Sequence, residues 1–519
     1  PISITSAETW ADQLRAAHVL VASAERQQII ATRAEALAAE AGLMLIPDAG
    51  LVAENAGLTE WPVPLLGRFD SDFLSVPREV IVLTMRTNQK YFALADGTGA
   101  LAPAFVCVAN LEASDGGTAI IKGNERVLSA RLSDARFFWE QDLATVKAGG
   151  LEAFLPKLDT IVFHEKLGTV ADKVERVAAL ARWLVESGAI TSPLAGEVGL
   201  GAAEPGEGLA AKAERAARLA KADLVSATVG EFPEVQGIIG RYLALAAGED
   251  PAVADAIRDH YKPAGQGDDV PTAPVSVAVA LADKVDTMVG FFAVAKLPPN
   301  GSKDPFALRR AAIGAHQLLA SVKTGFRWLN LLKFSADLYR RQDMAADGEE
   351  AVLDFMSERF RVISKDAGGR IDLIDAVRSA GVIDDFSLLN ARVHALQAFV
   401  ETEDGANLLA GYKRAANILK AAEKDPATAA PASGAGEGAE AALAAALDAA
   451  LPAAAAAVAE ERFTAAMAAL ASLRAPVDAF FEGVMVNDPD PAIRARRLAL
   501  LARFRDAVHG VADFSKIEG

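Results

Sequence analysis

Beyond Leu151 the apolar residues of this chain recur at intervals of three and four, a spacing that suits stacked α-helices and little else. Leu167, Val170, Val174, Val177, Ala181 and Leu184 form one such stripe. Tyr412, Ala415, Ala416 and Leu419 repeat it, as do Val477, Phe480, Phe481 and Val484. Alanine, the best intrinsic helix former, is abundant enough to make helix the default wherever no other signal intervenes. A chain of 519 residues is too long for a single core, and at ~150 residues per domain it divides into about three or four units.

The first 150 residues break the pattern. A helical opening gives way to alternating apolar residues around Val80, Val82 and Met85, and again from Phe105 to Val108, which predicts strands. Asp96-Gly97-Thr98-Gly99 supplies the positive-φ residues of a hairpin connection. The predicted fold class is therefore multidomain and predominantly α, with an N-terminal α+β domain over 1–150. Helical domains follow over 151–330 and 391–519, joined by a helical linking body over 331–390 that carries Arg359, Arg361, Lys365 and Arg370. Residues 192–209, rich in Gly, Pro and Glu, read as a flexible insertion without chemistry. Ala422 to Ala459, with Pro426, Pro431, Ser433, Gly434 and Gly436, reads as a loose linker leading into an alanine-rich helix.

Charge and cysteine usage narrow the function classes. A net charge of −17 excludes a protein coated with cations for nucleic acid, so any RNA contact must be local, and the acidic remainder would keep RNA from settling elsewhere. The single cysteine, Cys107, rules out an internal disulfide framework and a cysteine-rich zinc site, and it fits a reducing, cytoplasmic setting. The alanine-rich stretch near 440–458 is interrupted by Glu440, Asp448 and Pro452, which argues against a membrane span.

Several motifs carry more information than periodicity. Val76-Pro77-Arg78-Glu79-Val80-Ile81-Val82-Leu83-Thr84-Met85-Arg86-Thr87-Asn88-Gln89-Lys90-Tyr91-Phe92 ends in a polar Asn-Gln-Lys-Tyr turn that packing alone would not demand. Gly123-Asn124-Glu125-Arg126-Val127 and Asp134-Ala135-Arg136-Phe137-Phe138-Trp139 follow, in a locally cationic segment with Lys122, Arg126, Arg131 and Arg136. Phe137, Phe138 and Trp139 are read as core in preference to base-stacking platforms. In Ser302-Lys303-Asp304-Pro305-Phe306-Ala307-Leu308-Arg309-Arg310, Asp304 is suited to be an N-cap and Pro305 a first helical residue, which places Lys303, Arg309 and Arg310 beside a helix start. They either pair with phosphate or an acidic partner, or form a solvated face. Lys413, Asn417 and Lys420 share one helix face opposite Tyr412, Ala416 and Leu419, with Arg414 at its edge, a stripe of donors suited to an RNA backbone. Arg494, Arg497 and Arg505 fall on one side of a helix and Arg496 and Arg503 on the other, so the five make no single RNA face.

Together these stretches resemble the β subunit of the bacterial two-subunit glycyl-tRNA synthetase over most of the chain. The resemblance implies that the N-terminal part is similar to the B3/B4 editing-type domain of phenylalanyl-tRNA synthetase, with Lys122 and Arg126 as tRNA contacts. Lys413-Arg414-x-x-Asn417-Ile418-Leu419 is similar to the helical anticodon-binding (DALR-like) domain of arginyl-tRNA synthetases. Lys413, Arg414, Asn417 and Lys420 are its implied tRNA residues, followed by Arg309, Arg310 and Lys303. Family members carry a further N-terminal region, so Pro1 reads as a start within a longer protein. The implied partners are the α subunit, in an α2β2 heterotetramer, and tRNA specific for glycine. ATP and Mg2+ would be used by the α subunit, with no cofactor in this chain. The absence of His-Ile-Gly-His, Lys-Met-Ser-Lys-Ser, a Walker loop and a nucleophile elbow agrees with that division.

The helical middle offers a rival reading. His164, Asp223 and Asp283 occur in an order that resembles the HD phosphohydrolases, where histidines and aspartates hold a divalent metal that activates water. The His-Asp doublet reads Ala222-Asp223 here, which removes a nitrogen donor. Either a depleted metal site remains, or His164 is a packed histidine in a degenerate domain and the aspartates cap or pair locally. A non-catalytic helical scaffold is the third alternative.

Overall fold

The computed structural model describes residues 3–4, 6–191, 206–265, 267–321, 327–382, 384–422 and 436–518. The chain forms two compact units. The first comprises Pro1–Phe163, Gly168–Glu175 and Arg215–Tyr261, and the second His164–Leu167, Arg176–Glu214 and Lys262–Gly519. In chain order the elements begin with α1 (Trp10–Ala16), α2 (Ser23–Glu40), β1 (Met44–Leu45), α3 (Ala49–Leu58) and β2 (Val63–Arg68). There follow α4 (Arg78–Thr84), β3 (Phe92–Ala95), β4 (Leu101–Ala109) and α5 (Thr118–Gly149).

The strands make one antiparallel sheet in the order β1-β3-β4-β2. The two faces of β4 follow its alternation. Ala102, Ala104 and Val106 join Phe92 and Leu94 beneath Ile30, Ala34 and Ala38 of α2 and Leu51 and Ala56 of α3. Phe105, pointing the other way, covers Gly67 on the neighbouring strand, where a Cβ would run into its ring. The predicted hairpin is present. Asp96 accepts hydrogen bonds from the Thr98 and Ala100 amides, and Gly99 takes φ 84°.

The alternation around Val80, Val82 and Met85 is not a strand. It is α4, extended by a wider π-type turn over Met85–Gln89. Val80, Ile81, Thr84 and Met85 are buried, a spacing that one helical face satisfies, and this burial overrides the strand preference of the β-branched residues. Lys90, at φ 58°, closes the turn, and Tyr91 donates its amide to Met85 O.

That closure explains the polar turn. Tyr91 is only 4% exposed, stacks on Phe105 with ring centroids 4.6 Å apart, and donates its hydroxyl to Asn124 Oδ1 at 2.6 Å. Glu125 accepts the Arg68 amide, and Trp139 donates its indole N–H to Ser75 O at 3.1 Å. The three motifs of this unit thus interlock, and packing demands Tyr91 of the turn, while Asn88 is exposed and Gln89 and Lys90 are half-buried. Phe137, by contrast, is 63% exposed rather than core. At ~1.5 Å per residue α5 is about 48 Å long. It buries Leu128, Leu132, Ala135, Trp139, Asp142 and Val146 along one face.

Further on lie α6 (Val170–Glu186), α7 (Gly206–Leu219), α8 (Ala227–Glu231), α9 (Ile238–Ala246) and α10 (Pro251–Asp259). The predicted stripe Leu167, Val170, Val174, Val177, Ala181 and Leu184 is buried throughout. Of the insertion expected at 192–209, residues 206–209 belong to α7 and 192–205 lie outside the described residues. In the first unit Asp142 of α5 caps α8 from a distance, accepting the Ala227 and Thr228 amides at 2.8 Å each.

The second unit continues with α11 (Pro274–Val289), α12 (Leu308–Ser321), α13 (Trp328–Arg341), α14 (Glu349–Asp366), α15 (Ile371–Ser379) and α16 (Phe386–Val400). It ends with α17 (Glu403–Ala422), α18 (Ala439–Ala459), α19 (Phe463–Ala471), α20 (Arg474–Gly483) and α21 (Pro491–His509). Helix α11 is buried almost all round, as a central core helix should be, and packs against α12, α13 and α14. The loop expected before α18 falls at 423–435, outside the described residues. Among the described residues α18 is the one helix long and apolar enough to cross a membrane. Here its Leu443, Leu447, Ala450, Ala454 and Ala457 are buried and it packs on α19, α20 and α21.

Candidate nucleic-acid interface

Helix α17 starts where Thr402 Oγ1 accepts the Gly405 amide, and a Cβ at Gly405 would collide with Phe399 O. Leu408, Leu409, Tyr412 and Ala415 turn inward, and the Tyr412 hydroxyl lies 2.5 Å from His509 Nε2 of α21. Ala416 and Leu419 are half-buried. The opposite side is polar. Arg414, Asn417 and Lys420 are exposed and Lys413 is half-buried, so the structure brings these four predicted residues together on one helix. Arg414 is not at a bare edge. Its guanidinium carbon lies 4.4 Å from the centroid of the Phe481 ring on α20.

Four of the five arginines of α21 are spent on acids. Arg496 reaches Glu440 at 2.9 Å, and Arg497 binds both Glu440 and Asp488. Arg503 bonds Asp448, Arg505 bonds Asp506, and Arg494 is half-buried. Burial alone would raise the Glu440 carboxyl, but hydrogen bonds from Arg496 and Arg497 outweigh it and hold its pKa below the ordinary glutamate range. The two sides of α21 that helical spacing distinguishes both carry arginines bound to acids. The reason is α18, whose Glu440 binds Arg496 and Arg497 from the two sides of α21 and whose Asp448 binds Arg503 on the Arg496 side, contacts between segments 55 to 57 residues apart.

Lys303, Arg309 and Arg310 gather at the start of α12, with Lys303 and Arg310 exposed and Arg309 held to Gly301 O. Asp304 caps the helix as expected, accepting the Leu308 and Arg309 amides at 2.8 and 2.9 Å. Pro305 is not the first helical residue. It sits in the turn before Ala307, which takes φ 55°, and the helix begins at Leu308. Lys122 and Arg126 are exposed on α5 in the first unit, one turn apart, while Arg136 is paired with Glu140. In the linking body, Arg361 pairs with Asp375 and Arg370 with Asp372.

The metal reading finds no support. His164 packs edge-on against Phe291 and Phe306, with ring centroids 5.3 and 5.9 Å away, and its Nδ1 accepts the Lys166 amide. Asp223 belongs to the other unit, where its Oδ2 accepts the Gly237 and Gly240 amides at 2.5 and 2.9 Å. Burial pushes its carboxyl up to about 6 against those two bonds. Asp283 lies on α11, and the next acid, Asp286, is bound by Arg176 at 2.7 Å with both side chains buried. Among the described residues, no three His, Cys, Asp or Glu side chains are placed to hold a metal ion.

Sequence reasoning missed Phe481 as a partner of Arg414 and Glu440 as the acid that claims two arginines. Neither pairing has a local signal, since each joins distant helices.

Comparison with known proteins accounts for this arrangement. A family model described as the glycyl-tRNA synthetase beta subunit matches residues 1–379, and one described as the DALR anticodon binding domain matches 408–514. The glycine–tRNA ligase beta subunit of Rhodospirillum centenum is 50% identical over 529 residues, covering 100% of this chain and 70% of that protein. Those of Phenylobacterium zucineum and Paracoccus denitrificans are each 48% identical, covering 100% of this chain and 73% and 72% of their own lengths. With its helical body, N-terminal sheet and C-terminal anticodon-binding domain, the chain belongs to the glycyl-tRNA synthetase β-subunit family.

Proposed function

We propose that this chain is the tRNA-recognising subunit of a glycine–tRNA ligase, working with an α subunit in an α2β2 assembly in the cytoplasm. The α subunit supplies the glycine and ATP chemistry, with Mg2+. This chain holds tRNA specific for glycine so that its terminal ribose hydroxyl meets the glycyl-adenylate there. Its contribution to rate is orientation: fixing two reactants in place is worth up to about 7–11 kcal/mol of barrier in well-aligned systems. Bond chemistry needs no group from this chain.

The observation that carries the reading is the polar side of α17. Arg414, Asn417 and Lys420 are exposed there, within the segment that matches the anticodon-binding model, on a chain whose neighbouring arginines on α21 are held by acids. Lys303 and Arg310, and Lys122 and Arg126, are the further contacts we assign.

The test is binding of labelled tRNA to the chain, glycine-specific against non-cognate, with and without the α subunit, across a salt series. Selective binding that weakens with salt, and a salt slope reduced by about one on Lys420→Gln, are expected. Equal binding of the non-cognate tRNA, or none with α assembled, would refute the proposal.

A further inference from the structure

We infer that Arg414, seated on Phe481, is a stacking platform for one unpaired nucleobase of the bound RNA, and not merely a phosphate contact. The inference rests on the tRNA-recognition reading above and adds to it a specific role and a second residue. Three observations lead to it.

The first is the seat itself. Phe480 is fully buried and anchors α20, while its neighbour Phe481, half-buried, lies beneath the Arg414 guanidinium at 4.4 Å. A guanidinium so placed has one side against an aromatic ring and the other toward solvent. The second is the contrast with the other arginines of the C-terminal helices. Arg462 pairs with Glu460, Arg474 with Glu403 and Asp404, and Arg503 with Asp448, besides the Glu440 pairs. Arg392 is buried. Arg414 is exposed and, among the described residues, has no carboxylate at ion-pair distance, so its N–H donors are not tied to an acid. The third is its surroundings. Asn417 and Lys420, at successive turns of α17, are exposed beside it.

RNA supplies the matching chemistry. Single-stranded bases are recognised by stacking on aromatic rings or arginine guanidinium planes and by hydrogen bonds to their edges. A base above Arg414 would complete a ring–cation–ring stack, within reach of an amide able both to donate and to accept, with Lys420 as a neighbouring phosphate contact. A base-paired stem could not offer its face in this way, so the ligand is an unpaired loop base. An acidic peptide would engage the donors of Arg414 and have no use for the exposed side of the stack.

The test uses the full chain assembled with its α subunit and a set of glycine-specific tRNAs, each with one abasic position in the anticodon loop. Arg414→Lys keeps the charge and removes the plane, so about a tenfold loss of affinity with an unchanged salt slope is expected. That loss should vanish with one abasic tRNA and persist with the others. Phe481→Leu should give a partial loss that vanishes at the same position, whereas the Lys420→Gln penalty should track salt and persist at every position. Wild-type affinity in Arg414→Lys overturns the platform, as does a penalty that no abasic position relieves, which would make Arg414 a phosphate or peptide contact. Failure of the wild-type assembly to bind any of these tRNAs overturns instead the recognition reading, and this inference with it.

Discussion

Arg176 and Asp286 offer the most demanding check on how the helical body is held together. Arg176 is 1% exposed and Asp286 not at all. Arg176 donates to Asp286 Oδ1 at 2.7 Å and to Gln342 at 2.6 Å, and lies over the Tyr339 ring, whose hydroxyl bonds Asp286 O. The group joins α6, α11 and α13. At ~4 Å between charges and an effective dielectric of ~20 the attraction is about 4 kcal/mol, offset by several kcal/mol of desolvation for each ion. The pair therefore adds little net stability, but removing one partner strands the other. Asp286→Ala should cost about 3–5 kcal/mol, whereas the double substitution Arg176→Met with Asp286→Leu should recover most of that. With ~2–4 °C lost per kcal/mol in domains of ~150–250 residues, the single variant should melt about 10 °C lower. A chain of two units need not unfold in one step, so hydrogen exchange of the α11 and α13 amides is the sharper assay. A single variant within about 1 kcal/mol of wild type, or a double variant no better than the single, would refute the reasoning.

Two further outcomes follow from buried polar groups. Tyr91→Phe removes the hydroxyl that bonds Asn124 and should destabilise the N-terminal unit by about 1–2 kcal/mol, measured by thermal melting, while tRNA affinity stays within about twofold. Asp223 is raised from its ordinary value to about 6, so the fold favours its protonated form. Its stabilising contribution is fully present below about pH 4 and is lost as pH rises through about 6, a span of ~3 kcal/mol. Asp223→Asn, which keeps an acceptor for the Gly237 and Gly240 amides, should flatten that slope in urea titrations at pH 4.5 and 7.5 (about); an unchanged slope would rule Asp223 out as its source.

Local signals were legible and distant ones were not. The hairpin at Asp96–Gly99, the stripe of α6 and the polar side of α17 follow from backbone preference and periodicity, which neighbouring residues determine among themselves. Helix α4 misled because Val80, Ile81 and Val82 prefer strands in isolation, and only the tertiary burial of Val80, Ile81, Thr84 and Met85 settles the matter. The α21 arginines show the same limit for the site. Helical geometry correctly separates Arg496 from Arg497, yet nothing within α21 reveals that Glu440 of α18 binds both. Phe481 looked like core because its spacing with Val477 and Phe480 is apolar, while its contact with Arg414 spans two helices. Tyr91, in a turn that nothing local in the sequence demands, was opaque because its partner, Asn124, lies 33 residues further on.

The interlock of the N-terminal motifs bears on how this lineage can drift. Tyr91 depends on Asn124, Trp139 on the backbone at Ser75, and Glu125 on the backbone at Arg68. A change at Tyr91 alone leaves a half-buried amide oxygen one partner short, and a change at Asn124 alone leaves the Tyr91 hydroxyl only its 3.5 Å bond to Gln89. Each single change costs a hydrogen bond that the pair together keeps, so the two positions are expected to change together or stay put. The Tyr91 and Asn124 part of the signature would then be an inheritance of fold maintenance, preserved by a valley between neighbouring genotypes, beside an exposed Arg126 that stays free to meet RNA.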